Sequence, residues 1–577
     1  MSHKKFNSNA PLEVKFQGFG GIESKAHCDL TRSASIVNFR IRSDGALEKR
    51  CGTRYVFDLG NPIRGVWSGY LHGKYSIFFL AGNMVYRSDP PALTISALGR
   101  VSSSTGNANF FSLQGRLYLT DGGNGIYLIG ENGPSPALGY VPLIGKDWDN
   151  DELGEIYEPY NLINHRARIT YVVSDPPSVF LGVPKRISSV QALYLNGTLL
   201  DASQYKINNS LLAIEITGLR AGDRAELHVT FQENEDPLLP LFCSTKNSTF
   251  FSSGEKSRTF FWGSDGSDTM FCTSYVSPDS LTESQRHYPS SDPLYLPRGY
   301  EFRVGDGTYP IRGAIRHHDA LLIFTEKDTW AANSDSTGLA SLPTIPVNAE
   351  LGCVSDYGAV LTPNDPITVS EHGLYRWQSR ELEETRRNAV RVSAALDDLL
   401  NQNDFRNATL YYDPLRDELW LGLKHRSQAW VCSPARGDWY CFTGIQADRF
   451  FNYAGNVGYI NGALVYMVDP TKFSDMNRYY VEKPINATYE SASFDFGSDR
   501  MKNLSEVGMV CDPDGGELTV EFCPDEGQSV ARTLKPTSDH SVFAKRLRSG
   551  RFRSAKLRIT SNDPARPVIH SLKLQAH

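Results

Sequence analysis

His317-His318-Asp319 is the triplet in this sequence whose residue types most directly suggest a metal site, because imidazole and carboxylate are common ligands of zinc and related ions. Adjacent residues of a strand point to opposite faces, so the triplet is predicted to be a turn ahead of Leu321 and not a ligand pair. Asp328, Glu371 and Asp417 have the chemistry of a glycosidase acid pair, a role that depends on a separation no sequence reveals. Gly18-Phe19-Gly20-Gly21 has half the glycines of a dinucleotide-binding loop without the strand and helix such a loop needs, and is predicted to be a flexible N-terminal turn. Gly-x-Ser-x-Gly, the phosphate-binding Gly-x4-Gly-Lys-Ser/Thr, His-Glu-x-x-His and Asp-x-Asp-x-Asp-Gly are all absent. These observations predict a protein with no catalytic residues, no metal ligands and no cofactor.

The second chemically conspicuous feature is electrostatic. Between Lys545 and Arg558 seven of fourteen residues are basic, with Leu547, Phe552 and Leu557 interleaved. Apolar residues inside a basic run predict an ordered strand pair with a charged face, not a disordered tail. Lys545, Arg546, Arg548, Arg551, Arg553, Lys556 and Arg558 are therefore the candidate subunit-interface or DNA-facing residues. The alternative is a solvated face balanced by Asp512, Asp514, Asp525 and Glu526. The whole chain, with 59 Lys and Arg against 65 Asp and Glu, carries −6 and is no polycation. Any contact with DNA must be local or repulsive.

The elements that position these residues read as strands and turns. A chain of 577 residues is too long for one core at roughly 150 residues per domain. Its 48 Gly and 31 Pro, beside 29 Phe and 28 Tyr, exclude a helical bundle. Leu113 to Ile129 is an alternating strand, a Gly/Asn turn and a second strand, the pattern of a hairpin, and variants of it recur along the chain. Taking Leu71, Leu113, His317, Pro363, Pro414 and Asn461 as equivalent starts, the steps are 42, a long gap, then 46, 51 and 47 residues. That is the spacing of four-stranded propeller blades. The gap holds residues 151–242, beginning with the acidic run Asp147-Trp-Asp-Asn-Asp-Glu152, with the Asn196-Gly197 turn inside it. The predicted architecture is an all-β, interrupted β-propeller of about seven or eight blades with an inserted β-sandwich and a C-terminal β-domain. Its parts are an N-terminal arm (1–34), propeller segments at 35–150 and 243–470, the insertion at 151–242 and a C-terminal domain at 471–577. One helix is predicted, Ser393 to Leu400, with Ser393 as N-cap. No apolar leader or spanning stretch is evident, and nine cysteines without a Cys-x-x-Cys pair read as reduced thiols of a cytosolic chain.

Asn38 to Arg54, running Asn-Phe-Arg-Ile-Arg-Ser-Asp-Gly-Ala-Leu-Glu-Lys-Arg-Cys-Gly-Thr-Arg, resembles the N-terminal signature of tail tubular protein B, the nozzle of short-tailed bacteriophages. Arg64-Gly-Val-Trp67, the Tyr75–Phe79 strand and the Leu117–Asp121 strand continue the similarity. A further resemblance, to packaged-DNA stabilisation proteins, rests on the order of Val392 to Leu400, Tyr411 to Trp420 and the basic stretch Arg548 to Ile559. The resemblance implies a structural protein of the virion tail, assembled in the bacterial host cytoplasm. It implies a hexameric ring meeting portal–adaptor proteins and tail fibre or needle proteins, whose channel retains and then conducts packaged double-stranded DNA, without membrane insertion by this chain. Two rival readings are a propeller glycoside hydrolase and a propeller scaffold binding a cellular protein. For the first, Ser264 to Phe271 approaches the Asp-box of sialidases, but its aspartates stand at other offsets and it occurs once, so it reads as an Asp-Gly hairpin turn.

Overall fold

The computed structural model describes residues 11–24, 31–175, 179–232, 236–253, 256–274, 292–333, 343–363, 365–378, 388–400, 404–512, 515–535, 541–546 and 549–577. The chain is an all-β, interrupted β-propeller with an inserted β-sandwich and a C-terminal β-domain, and its described residues form seven four-stranded antiparallel blades. It divides into two compact units: Arg64–Ser88 with Ser96–Leu351, and Met1–Ile63 with Asp89–Ile95 and Gly352–His577.

The first unit holds blades one to four and the insertion. Blade two is typical: Asn109–Leu113, Arg116–Thr120, Ile126–Gly130 and Gly133–Pro136 pair in chain order. Its first hairpin turns through Gln114 and Gly115, at φ 48° and 72°, and the first hairpin of blade one turns likewise through His72 and Gly73, at 50° and 77°. Two successive left-handed residues make the tight turn whose twist matches that of the strands. Alternate side chains then stack the blades, Phe78, Leu80 and Val85 of blade one sharing a core with Phe110, Leu117 and Leu119 of blade two. The insertion is a sandwich of a five-stranded and a three-stranded sheet closed on a core that includes Ile169, Leu227, Leu181 and Ile214. Its first strand is Leu143–Asp149, so the domain starts ahead of the expected limit at 151 and the acidic run begins within that strand. Arg224–Phe231 is its last strand, ahead of the expected limit at 242.

The second unit holds blades five to seven and the C-terminal domain. Blade seven takes Arg449–Tyr453, Asn456–Asn461 and Leu464–Asp469 from late in the chain, and its fourth strand, Gly52–Asp58, from near the start. Asn461 therefore marks the second hairpin of its blade, one turn later than the other five repeat starts. Asp438–Thr443 of blade six continues through Ser33–Val37 into a C-terminal sheet of Ala487–Ser491, Ala555–Ser561, Leu518–Pro524 and Val530–Leu534. The opposing sheet is built on Val568–Ala576 and Leu504–Cys511, joined by Leu47–Lys49 and, separately, by Leu12–Gln17.

Three local expectations are corrected. Leu12–Gln17 of the presumed N-terminal arm is a strand, in register from Leu12↔Ala576 to Gln17↔Ser571. Gly18–Gly21 is no flexible turn: Ile22 N–H bonds Trp439 O at 2.9 Å, and a Cβ on Gly21 would lie 2.4 Å from Trp439 N. The helix from Ser393 is one 3₁₀ turn, Ala394–Leu396, followed by a single α turn, Asp397–Leu400. Ser393 does not cap it, because its hydroxyl accepts the Leu374 N–H at 3.1 Å instead.

Glu13 on the first strand meets Lys573 at 2.8 Å and Lys15 at 2.9 Å. Hydrogen bonds from Lys573 and then Lys15 hold its carboxyl near a pKa of about 2, against an ordinary 4.5. A depressed carboxylate stabilises the fold fully above its unfolded value and loses that contribution as pH falls through its folded value. Protection of the amides of residues 12–17, taken relative to the intrinsic exchange rate at each pH, is therefore expected to fall between about pH 4.5 and 2, and Glu13→Gln should reproduce the loss of protection at neutral pH. Protection unchanged in both cases would show that the pair does not hold this strand.

Candidate functional site

The basic segment belongs to the C-terminal domain. Ser541–Arg546 forms an edge strand beside Leu504–Cys511, with Lys545 opposite Val507 and Arg546 opposite Glu506 in register. Arg548 lies outside the described residues. Arg551 and Arg553 are exposed, on either side of fully buried Phe552, whose ring meets Phe522 at 4.9 Å and Phe496 at 5.9 Å. Neither arginine makes an ion pair among the described residues, so an ordered backbone presents two uncompensated cations. Lys556 and Arg558 differ. Lys556 pairs with Glu490 at 3.0 Å, and Arg558 with Glu490 at 3.1 Å and Glu521 at 3.0 Å, both partners coming from neighbouring strands. Burial opposes ionisation of Glu490, but bonds from Lys556 and Arg558 prevail and its pKa is lowered.

The balancing acids proposed from sequence are mostly engaged elsewhere. Asp512 meets His570 at 2.8 Å, Asp525 accepts the backbone N–H groups of Arg553 and Ser554, and Asp514 is outside the described residues. Of the basic side chains of the segment that the structure describes, Arg551 and Arg553 keep the unmatched charge expected of an interface.

The Asn38–Arg54 segment is a buried polar joint. Asn38, left-handed at φ 58°, accepts from Arg50 Nε and Thr443 N–H, each at 2.9 Å, and donates to Thr443 Oγ1 at 2.8 Å and Asn486 O at 2.7 Å. Arg50 spends its other donors on Cys51 O, Thr443 O and both Asp475 oxygens. Arg40 meets Glu418 at 2.9 Å, and the Tyr440 hydroxyl donates to the same carboxylate at 2.8 Å. Burial raises the pKa of Glu418 and raises that of Tyr440 well above its ordinary value. Lys49, fully buried, donates to Asp563 O at 2.5 Å, and burial pushes its pKa down to about 8. These residues tie blades six and seven to the C-terminal sheets.

The residues first suspected of chemistry serve hairpins. His317 ends a strand and is buried, while exposed His318 turns the chain at φ 55°. Asp328 accepts from Thr325 Oγ1 and Trp330 Nε1, Asp417 accepts from the Tyr412 hydroxyl at 2.8 Å, and Glu371 sits exposed in another turn.

Sequence reasoning passed over a polar face on the inserted domain. Thr170, Glu226 and Tyr194 lie directly opposite one another across three adjacent strands. Asp147, on the strand parallel to the first of these, donates its backbone N–H to Thr170 Oγ1 at 2.7 Å. Asp147 walls two cavities, of about 520 Å³ and about 370 Å³. The pattern that marks this row is the alternation within Arg224–Phe231, where Glu226 and His228 point away from the core; its partners come from separate strands.

No group of three or more His, Cys, Asp or Glu among the described residues is arranged to hold a metal ion. No helix among them is long and apolar enough to cross a membrane. No family model matches the sequence, and no curated protein does. Three solved structures are similar. The AfRom2 CNH domain is 6% identical with a TM-score of 0.36, over 72% of this chain and 99% of that one. BamB from Moraxella catarrhalis is 9% identical at 0.34, over 79% and 99%. The Neurospora crassa Pan2 WD40 domain is 6% identical at 0.34, over 73% and 95%. Likeness at this level carries no argument about function.

Proposed function

We propose that this chain is a non-enzymatic structural component of a short-tailed bacteriophage tail: a nozzle-like subunit, assembling as a ring, that extends the portal–adaptor channel, retains packaged DNA and conducts it during ejection. The observation that supports the reading most is how polar residues are used in the Asn38–Arg54 segment, where the resemblance lies. Asn38, Arg40 and Arg50 are spent on joining sheets, as a load-bearing conduit subunit requires and a catalytic centre does not. The unmatched cations Arg551 and Arg553 stand on ordered backbone, which suits a fixed protein contact better than a sliding surface. A net charge of −6 suits a channel that DNA passes without sticking.

Electron microscopy of the purified full chain and of particles containing it tests the reading; a closed ring at the tail is the expected image. Arg551→Glu with Arg553→Glu should block ring or tail assembly while the monomer keeps its melting temperature. If assembly survives and DNA retention changes, the two arginines face DNA. A double variant normal in assembly, retention and infectivity would make this face only a solvated one. A chain absent from particles, or one that hydrolyses glycans with turnover lost on a single carboxylate substitution, would overturn the proposal.

A further inference from the structure

We propose that the inserted β-sandwich carries a binding site for a neutral saccharide, along the row Asp147, Thr170, Glu226 and Tyr194 with Arg224 at its edge. The row is built on sheet, not on loops. Thr170 pairs with Glu226 and Glu226 with Tyr194 in register, which places directly opposed side chains about 5 Å apart on one face. The hairpin at its end is tied down: Asn196 accepts the Arg224 N–H at 2.9 Å and donates to Asp223 at 2.9 Å, and Gly197 at the tip leaves open space. Asp147 is held left-handed, at φ 49°, by its bond to Thr170.

The chemistry of the lining selects the ligand class. Asp147 and Glu226 offer planar acceptors, Arg224 a planar donor, Thr170 a hydroxyl and Tyr194 a ring. Vicinal hydroxyls on a pyranose bridge such planar groups in pairs, and its apolar C–H face lies against an aromatic ring. Each carboxylate already has a partner, Glu226 sharing a hydrogen bond with His228 Nε2 at 2.8 Å and Asp147 lying 3.9 Å from the Arg224 guanidinium. The site therefore has spare hydrogen-bonding capacity without demanding a cationic ligand. Phosphorylated, sulfated or nucleic-acid ligands are disfavoured, because the neighbouring cavity adds Asp149, Glu152 and Glu155 against Lys146 alone. A cavity of about 370 Å³ falls within the range for one small ligand. The second, of about 520 Å³ and sharing Asp147, gives room for an adjoining sugar, so an oligosaccharide fits better than a single ring.

This inference is independent of ring assembly and is tested on the full chain. The protein is applied to an array of neutral hexose and N-acetylhexosamine oligosaccharides, with heparin and spermine as anionic and cationic probes. Any hit is titrated by saturation-transfer NMR. Retention of a neutral glycan is expected, with affinity falling at least ~10-fold, about 1.4 kcal/mol, in Tyr194→Ala and in Asp147→Asn. Asparagine tolerates the left-handed turn, so the second variant changes charge and not fold. Lys206→Ala, exposed on the other sheet of the same domain, should bind as the parent does. Equal melting temperatures across the three variants separate lost binding from lost folding. Retention of spermine or heparin in place of glycans, of no probe at all, or of glycans with unchanged affinity in both row variants would overturn the assignment.

Discussion

Arg50→Ala is expected to destabilise the unit containing residues 352–577 by about 3–5 kcal/mol, because it leaves the largely buried Asp475 carboxylate without its cation, and Arg50→Lys, which keeps the charge but loses the planar fork, by about 2–3 kcal/mol. Arg50 is 2% exposed; its side chain donates five hydrogen bonds, to Asn38 Oδ1, Cys51 O, Thr443 O and both Asp475 oxygens, and its backbone N–H donates a sixth to Asn38 O. A lysine ammonium is a compact charge that cannot reproduce a planar fork gripping both carboxylate oxygens. It would take one of two donors from the Asn38 side-chain oxygen and the Arg50 donor from Thr443 O, and under-satisfied buried groups are the expensive ones. Asp475→Asn should cost less, since its side chain is 29% exposed and one oxygen still accepts from Arg50. Urea unfolding followed by tryptophan fluorescence measures all three; a loss below about 1 kcal/mol for Arg50→Lys would remove the joint from any account of this unit's stability.

Arg64→Ala should destabilise the other unit by about 2–4 kcal/mol. The Arg64 guanidinium meets no carboxylate; it is caged by five backbone carbonyls, those of Gly82, Ser103, Thr105, Gly106 and Asp121, at 2.7–3.0 Å. These belong to blade one, blade two and the loop between them, so one side chain fastens consecutive blades. Burial lowers the pKa of Arg64, an effect that the nearby Asp121 charge only partly offsets. The side chain is only half-buried, so water can replace some of the lost bonds, which sets the estimate below that for Arg50. The same denaturation measured with Arg64→Lys should recover little of the loss, because three donors in a cone cannot reach carbonyls on three segments. Full recovery would mean that charge, and not geometry, is what the cage requires.

Local pattern made the blades readable. Leu113 to Ile129 shows its strands by alternation and the turn between them by the Gly/Asn run Gly122–Gly125, and Asn196-Gly197 marks its hairpin as plainly, since both signals lie within a few residues of the structure they describe. What went unread lies in long-range pairing. Nothing near Leu12 names Ala576 as its partner, and the run Lys545–Arg558 does not reveal that Glu490 and Glu521 neutralise its last two cations. Ser393 misled for a related reason: a serine before a leucine-rich turn satisfies the rule for a cap, yet a backbone N–H nineteen residues away claims its hydroxyl. The candidate saccharide row was hidden in the same way, its four residues being contributed by four strands.

The closure of blade seven has a consequence for how the chain is made. Gly52–Asp58 waits for Leu464–Asp469, and Leu12–Gln17 for Val568–Ala576. At roughly 5–20 residues per second on a ribosome, the roughly 400 residues between Asp58 and Leu464 take ~20–80 s to synthesise. Throughout that interval the earliest strand has exposed edges and no partner, a template for pairing with another nascent chain. These two strands are thus placed only after partners some hundreds of residues further on, and the yield of folded protein depends on keeping them unpaired until those partners emerge.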